Sequence, residues 1–202
     1  MLEKTPYDFT TDPNGLVNWR EIGEKAAANS PLALTLDTNL SRLEQINYVC
    51  EEVIKQFTDD IEIRRLSRDL YENGKPKNEA FAQRLFMVIA AAHCKYNDID
   101  LSPESDRGAG PVDFKFSNGL DKVTVEIKLS TNSKVVGGYR KQLDAYTKAE
   151  EAQISHYVLI DVGRLAKKYE KLQEMRKNAP EAIKNKHLHY INGEVRPSAS
   201  KL

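Results

Sequence analysis

The chain has 202 residues, with 30 Lys plus Arg against 30 Asp plus Glu, 40% hydrophobic and 30% charged residues, and two cysteines. That length suits one domain with an elaboration, large enough to bury a core without staples. No run of 18 apolar residues is present and MLEKTPYDFT lacks the basic and apolar regions of a secretory signal, so a soluble, cytoplasmic protein without membrane association is expected.

Zero net charge excludes a broadly polycationic, histone-like binder. It does not exclude nucleic acid as a substrate, because the charge is uneven. Residues 1–62 carry 5 basic and 12 acidic side chains, net −7, and residues 163–189 carry 8 basic and 3 acidic, net +5.

Residues 1–38 contain Pro6, Pro13, Asn14-Gly15 and Pro31, punctuation that predicts a wrapping arm with at most a short helix from Trp19 to Ala28. Ser41-x-x-Glu44 is a capping box, and Leu43, Ile46, Cys50, Val53, Ile54 and Phe57 follow at helical spacing, predicting a helix of about four turns. A shorter helical piece over Ile63 to Tyr71 would stop at Asn73-Gly74. The next helix begins near Asn78, with Phe81, Leu85, Val88, Ile89 and Ala92 as its apolar stripe and Glu79, Gln83 and Phe86 on a neighbouring face. Cys50 and Cys94 lack metal-ligand spacing and read as small buried thiols.

After Tyr96 the pattern changes to strand and turn: Ile99 to Leu101, a Gly-rich stretch ending at Pro111, then two alternating runs around Asn118-Gly119. Gly137-Gly138 precede a predicted helix to about Glu151. Tyr157 to Ile160 reads as a buried strand, and a basic amphipathic helix spans Gly163 to Asn178 before Pro180 and a polar tail. The order helices, hairpin, helix, strand, helix predicts an α/β fold on a small mixed central sheet flanked by helices, with additional N-terminal helices.

The hairpin carries the chemistry. Val112, Phe114 and Phe116 alternate with Asp113, Lys115 and Ser117, while Val123, Val125, Ile127 and Leu129 alternate with Thr124, Glu126, Lys128 and Ser130. With residues 118–121 as the loop, Asp113 falls opposite Glu126 and Lys128 lies one step along the same face. Facing carboxylates repel unless positive charge stands between them. Mg²⁺, held by one or two carboxylates, water and phosphate oxygens, would supply it. Lys128 would then hold an attacking water or stabilise a developing phosphorane. A solvated strand face is the other reading of the same residues.

The set Glu79 in a helix, Gly110-Pro111-Val112-Asp113, Val125-Glu126-Ile127-Lys128 and Gln142-x-x-x-Tyr146 resembles the PD-(D/E)xK nuclease superfamily, in the branch that includes RecB-type and Cas4-type nuclease domains. The resemblance covers about residues 78–162. It implies a restriction-endonuclease-like core within 78–202, with 1–77 as an N-terminal arm and helical elaboration. It further implies a Mg²⁺-dependent deoxyribonuclease, Mn²⁺ being possible, that hydrolyses phosphodiester bonds by in-line attack of water. Asp113, Glu126, the carbonyl of Ile127 and Glu79 would be the metal ligands, and Lys128 would position the water. Gln142 and Tyr146 would lie beside the substrate. Val112 departs from the family pattern by intervening between Pro111 and Asp113.

Arg140 and Lys141, with Lys167, Lys168, Lys171, Arg176 and Lys177, form a candidate phosphate-contacting face, a solvated surface being the alternative. His187-x-His189 lacks a nearby carboxylate or Cys partner and is not expected to bind metal. No Gly-x-x-x-x-Gly-Lys-Ser/Thr run is present, so any motor would be another chain or a segment beyond this sequence. The expected partner is DNA, in a homo-oligomer or a larger defence or repair complex. A non-catalytic nucleic-acid- or protein-binding module on the same fold is the alternative from another class, and an RNase using the same site is a third.

Overall fold

In the computed structural model, which describes residues 34, 39–105, 112–139, 152–178 and 185–195, Ser41 opens helix α1 (Arg42–Glu62). Both bonds of the predicted capping box form: Glu44 N–H donates to Ser41 Oγ at 3.3 Å, and Ser41 N–H donates to Glu44 Oε2 at 2.7 Å. The helix runs past Phe57, longer than expected, because Ile61 continues the buried spacing of Ile46, Val49, Cys50, Val53, Ile54 and Phe57. The chain divides between residues 35 and 36, and every described residue except Leu34 belongs to the second unit. The predicted arm over residues 1–38 lies almost wholly outside the described residues.

A 3₁₀ turn (Leu66–Leu70) then leads into a two-residue hairpin, β1 (Tyr71–Glu72) and β2 (Lys75–Pro76). Asn73-Gly74, expected to stop a helix, makes this hairpin's turn. Both residues have positive φ, +51° and +74°, as a type I′ turn requires.

Helix α2 (Glu79–Tyr96) is capped by Asn78, whose side chain accepts from Phe81 N–H at 3.1 Å. Its fully buried residues are Ala82, Phe86, Ala90, His93 and Cys94; of the predicted stripe Phe81, Leu85 and Ile89 are half-buried against the same core, while Val88 is 73% exposed. The helix is apolar nearly all round, so periodicity left its rotation open. Small Ala82 and Ala90 let it approach the sheet closely, and the Phe86 ring packs on Phe57, Phe114 and Phe116 at centroid distances of 5.3, 4.9 and 6.4 Å.

Five strands form the sheet, in the order β3 (Asp100–Ser105), β4 (Val112–Asn118), β5 (Asp121–Leu129), β6 (Ile154–Asp161) and β7 (Lys186–Asn192). β3, β4 and β5 form an antiparallel meander, while β6 and β7 add in parallel. Parallel neighbours need crossovers. A helical segment at 135–139 lies in one connection, of which residues 140–151, and with them most of the helix expected to about Glu151, fall outside the described residues; helix α3 (Lys168–Asn178) lies in the other. The helical segment passes through Gly137-Gly138 instead of starting after them. α3 starts later than predicted, because Gly163, Arg164 and Ala166 all take positive φ and hold that stretch out of the helix. Strand β7 was not expected from the sequence.

Alternation divides the sheet into two packed faces. Phe114, Phe116, Val123, Val125, Ile127, Leu129, Val158, Ile160 and Ile191 pack with α1 and α2. Tyr157 and Leu159 pack with Val135, Tyr139 and Leu172 on the other side. The fold is therefore α/β, a mixed sheet flanked by helices. Residues 42–70, which sequence grouped with the N-terminal elaboration, contribute Ile46 through Leu70 to the same core as the sheet. Cys50 and Cys94 are free and buried there, as expected. Among the described residues no helix is long and apolar enough to cross a membrane.

Candidate active site

The β4/β5 register keeps the predicted sum, from Asn118↔Asp121 to Phe114↔Val125. One step further, where Asp113 would face Glu126, backbone pairing gives way to side-chain pairing. Asp113 Oδ2 accepts from Ile127 N–H at 2.6 Å. Leu129 N–H, pointing the same way two residues on, donates to Glu79 Oε2 at 3.3 Å. Two carboxylates thus each accept a β5 backbone donor at this end of the strand.

Glu79 occupies the first turn of α2, where a carboxylate also suits the helix dipole. Its Oε1 accepts from Lys128 Nζ at 2.8 Å, and its Oε2 accepts from Asn132 Nδ2 at 3.2 Å as well as from Leu129. Lys128 Nζ stands 2.6 Å from Glu126 Oε1, 3.9 Å from Asp113 Oδ2 and 3.3 Å from the Ile127 carbonyl. Glu79, Asp113, Glu126 and Lys128 therefore converge at one end of β5.

A family model described as a domain of unknown function, DUF8371, matches residues 46–164, more than half the chain. The chain belongs to this DUF8371 family. No curated protein and no solved structure matches it. The DUF8371 segment runs from α1 to the end of β6 and contains all four converging residues.

Electrostatically, the DUF8371 site sets three carboxylates against one ammonium. Burial raises Asp113 most; Lys128, the Ile127 N–H and Gln83 oppose the rise, and the net shift is upward. Burial and then the charge of Asp113 push Glu126 up to about 8, despite Lys128. For Lys128, burial works to lower the ammonium's pKa, but Asp113, Glu126 and Glu79 outweigh it and hold the group protonated. Glu126 Oε2 is buried with no hydrogen-bond partner.

The cluster is short of positive charge, and that orphaned oxygen belongs to a carboxyl raised in part by the charge of Asp113. The oxygens of Asp113, Glu126 and the Ile127 carbonyl fit a hard divalent cation. No group of three or more His, Cys, Asp or Glu side chains among the described residues forms a ready cage. Mg²⁺ commonly takes only one or two carboxylates, completing its shell with water and substrate phosphate.

The DUF8371 site also has members that sequence reading did not assign. Gln83 Nε2 donates to Asp113 Oδ1 at 2.7 Å, one helical turn from Glu79 and on the same face, a spacing that could have flagged it. Asn132 has no such signal. Tyr157, the ladder partner of Glu126, lies beside the site and donates its hydroxyl to Val135 O at 3.1 Å; burial raises its phenol. Arg140, Lys141, Gln142 and Tyr146 lie outside the described residues, as does the Gly-rich entry at 106–111.

Of the basic group, Arg176 is tied to Tyr139 Oη at 3.0 Å and to the Lys186 carbonyl, a packing role. Lys168 Nζ donates to the carbonyls of Ser130 at 2.5 Å and of Asn132, whose side chain braces Glu79, at 3.2 Å. Lys167, Lys171 and Lys177 are exposed.

Proposed function

We propose that this DUF8371 protein is a divalent-metal-dependent deoxyribonuclease of the PD-(D/E)xK type, hydrolysing phosphodiester bonds of DNA. The observation that carries the reading is the convergence of Asp113, Glu126 and Lys128, with Glu79 from α2, where β4 and β5 stop pairing. Asp113, Glu126 Oε2 and the Ile127 carbonyl are the oxygens offered to Mg²⁺ or Mn²⁺. A bound cation would supply Lewis acidity and neutralise charge at the reacting phosphate.

The chain's own groups do the rest. Gln83 and the Ile127 N–H fix the Asp113 carboxylate in one orientation. Lys128, kept protonated by its neighbours, now donates to Glu79, Glu126 and the Ile127 carbonyl, and would turn one of these donors to a water or a phosphoryl oxygen. Plasmid and linear DNA incubated with Mg²⁺ provide the test. Wild type should cleave, and Lys128→Ala and Asp113→Asn should each lose about 100-fold or more of the rate. Equal rates in the three proteins would overturn the assignment.

One observation favours a second reading. The Lys128 ammonium pairs with Glu126 and Glu79, the arrangement of a structural ion cluster. On that reading the fold is a nucleic-acid- or protein-binding module within a defence or repair complex. DNA binding without cleavage, retained in Asp113→Asn, would select it.

A further inference from the structure

Helix α2 has a second organised face. Ala82, Phe86 and Ala90 enter the core, but Ala80, Gln83, Arg84 and Met87 recur at i, i+3, i+4 and i+7 and line a groove of about 580 Å³ against β3 and β4. Pro103 and Phe114 form the opposite wall, and the groove opens onto Asp113. That volume falls within the range of small-ligand sites, about 300–1,000 Å³.

The chemistry of the lining is divided. Arg84 is exposed and brings a planar guanidinium suited to a phosphate. Met87 and Ala80 on the helix side, and Pro103 and Phe114 on the strand side, supply the apolar part of the lining. A duplex offers a protein mainly phosphate and sugar on its outside, and its base faces are stacked within. An unpaired nucleotide presents a phosphate and an apolar base face together, matching the divided lining.

We propose that this groove seats one unpaired nucleotide beside the reacting phosphate, with Arg84 on its phosphate and Met87 against its sugar and base. The protein would then act on single-stranded DNA or on frayed ends. This rests on the nuclease reading for the identity of the ligand. Arg84 is a substrate-binding residue here, outside the Lys128 cluster.

The test uses the full chain in two arms. In metal-free buffer, fluorescence anisotropy compares a short oligothymidylate with a hairpin duplex for wild type, Arg84→Gln and Met87→Glu. Both variants should bind the single strand about tenfold more weakly and the duplex unchanged. In Arg84→Gln the salt slope on the single strand should fall by about 0.7, the value of one lost phosphate contact. With Mg²⁺, KM on single strands should rise by the same factor in both variants while kcat is kept.

If wild type cleaves and both variants match it on single strands, the groove assignment falls and the nuclease reading stands. Equal losses on single strand and duplex also overturn the groove. If no protein cleaves with Mg²⁺ or Mn²⁺, yet both variants lose single-strand binding selectively, the nuclease reading falls and the groove stands.

Discussion

Lys128 is the residue on which the cluster depends, with its side chain only 10% exposed and three carboxylates around it. Lys128→Met would leave Glu126 and Asp113 buried without their counter-charge. The expected cost at pH 8 is about 3 kcal/mol or more by urea unfolding. The cost should shrink towards pH 5, because the raised carboxyls then take up protons and lose the charge that needed pairing. A pH-independent cost would argue that the loss is one of packing alone. The Asp113, Glu126 and Lys128 triad was legible in sequence because strand alternation has a period of two and the Asn118-Gly119 turn fixed the register. Gln83 and Asn132 were not assigned, since their roles depend on α2 docking against β4 and the loop after β5, across 30 and 53 residues of chain.

Helix α1 was legible at its start for the same kind of local reason, a cap that needs only four residues. Ser41→Ala should cost about 1 kcal/mol of stability, measured as a lower urea midpoint with an unchanged slope. Helix α2 was legible in extent and only roughly in rotation: Phe81, Leu85 and Ile89 flank the core face, but its centre is Ala82, Phe86 and Ala90, and Val88 points away from it. Phe86→Ala should cost about 3–5 kcal/mol, while Val88→Ala should stay within about 0.5 kcal/mol. Comparable costs at both positions would contradict the observed rotation. β7 escaped notice because Lys186, His187 and His189 made its run look polar. In the fold the two histidines gain partners from β6, which no local pattern shows.

At the scale of the whole molecule, those histidines fasten the β7 edge to α1. His156 donates from Nε2 to Asn47 Oδ1 at 2.9 Å, which leaves its Nδ1 to accept from His189 Nε2 at 2.9 Å. Asn47 in turn donates to Glu51 Oε1 at 3.0 Å, and the His187 ring stacks on His156 at 4.8 Å. Burial, then the neighbouring histidines, hold His156 well below its ordinary value; burial, His187 and Arg176 lower His189 to about 4. His187 is also lowered, chiefly by burial, against the pull of Glu51. The fold therefore favours neutral rings. Their contribution is complete above about pH 6.5 and is lost as pH falls through 6.5 towards 4. The urea midpoint should drop across that window, and His156→Gln should flatten the difference. An identical profile in the variant would remove these rings as its source. The acidic N-terminal segment and the basic residues 163–189 were visible as charge, but sequence did not show that Arg176 is tied down while Lys168 reaches the loop after β5.

The two oxygens of Glu79 have separate duties. Oε1 faces Lys128, and Oε2 holds Leu129 and Asn132. If the lysine swings away to meet a phosphate, α2 keeps its anchorage to β5 through the other oxygen. The pivot of the site and the clamp of the scaffold share one side chain, so the helix can stay still while the ammonium moves. Glu79→Gln tests this division: the amide oxygen can serve only one side. A fold that holds, with α2 amides still protected from hydrogen exchange, would place the clamp ahead of the charge.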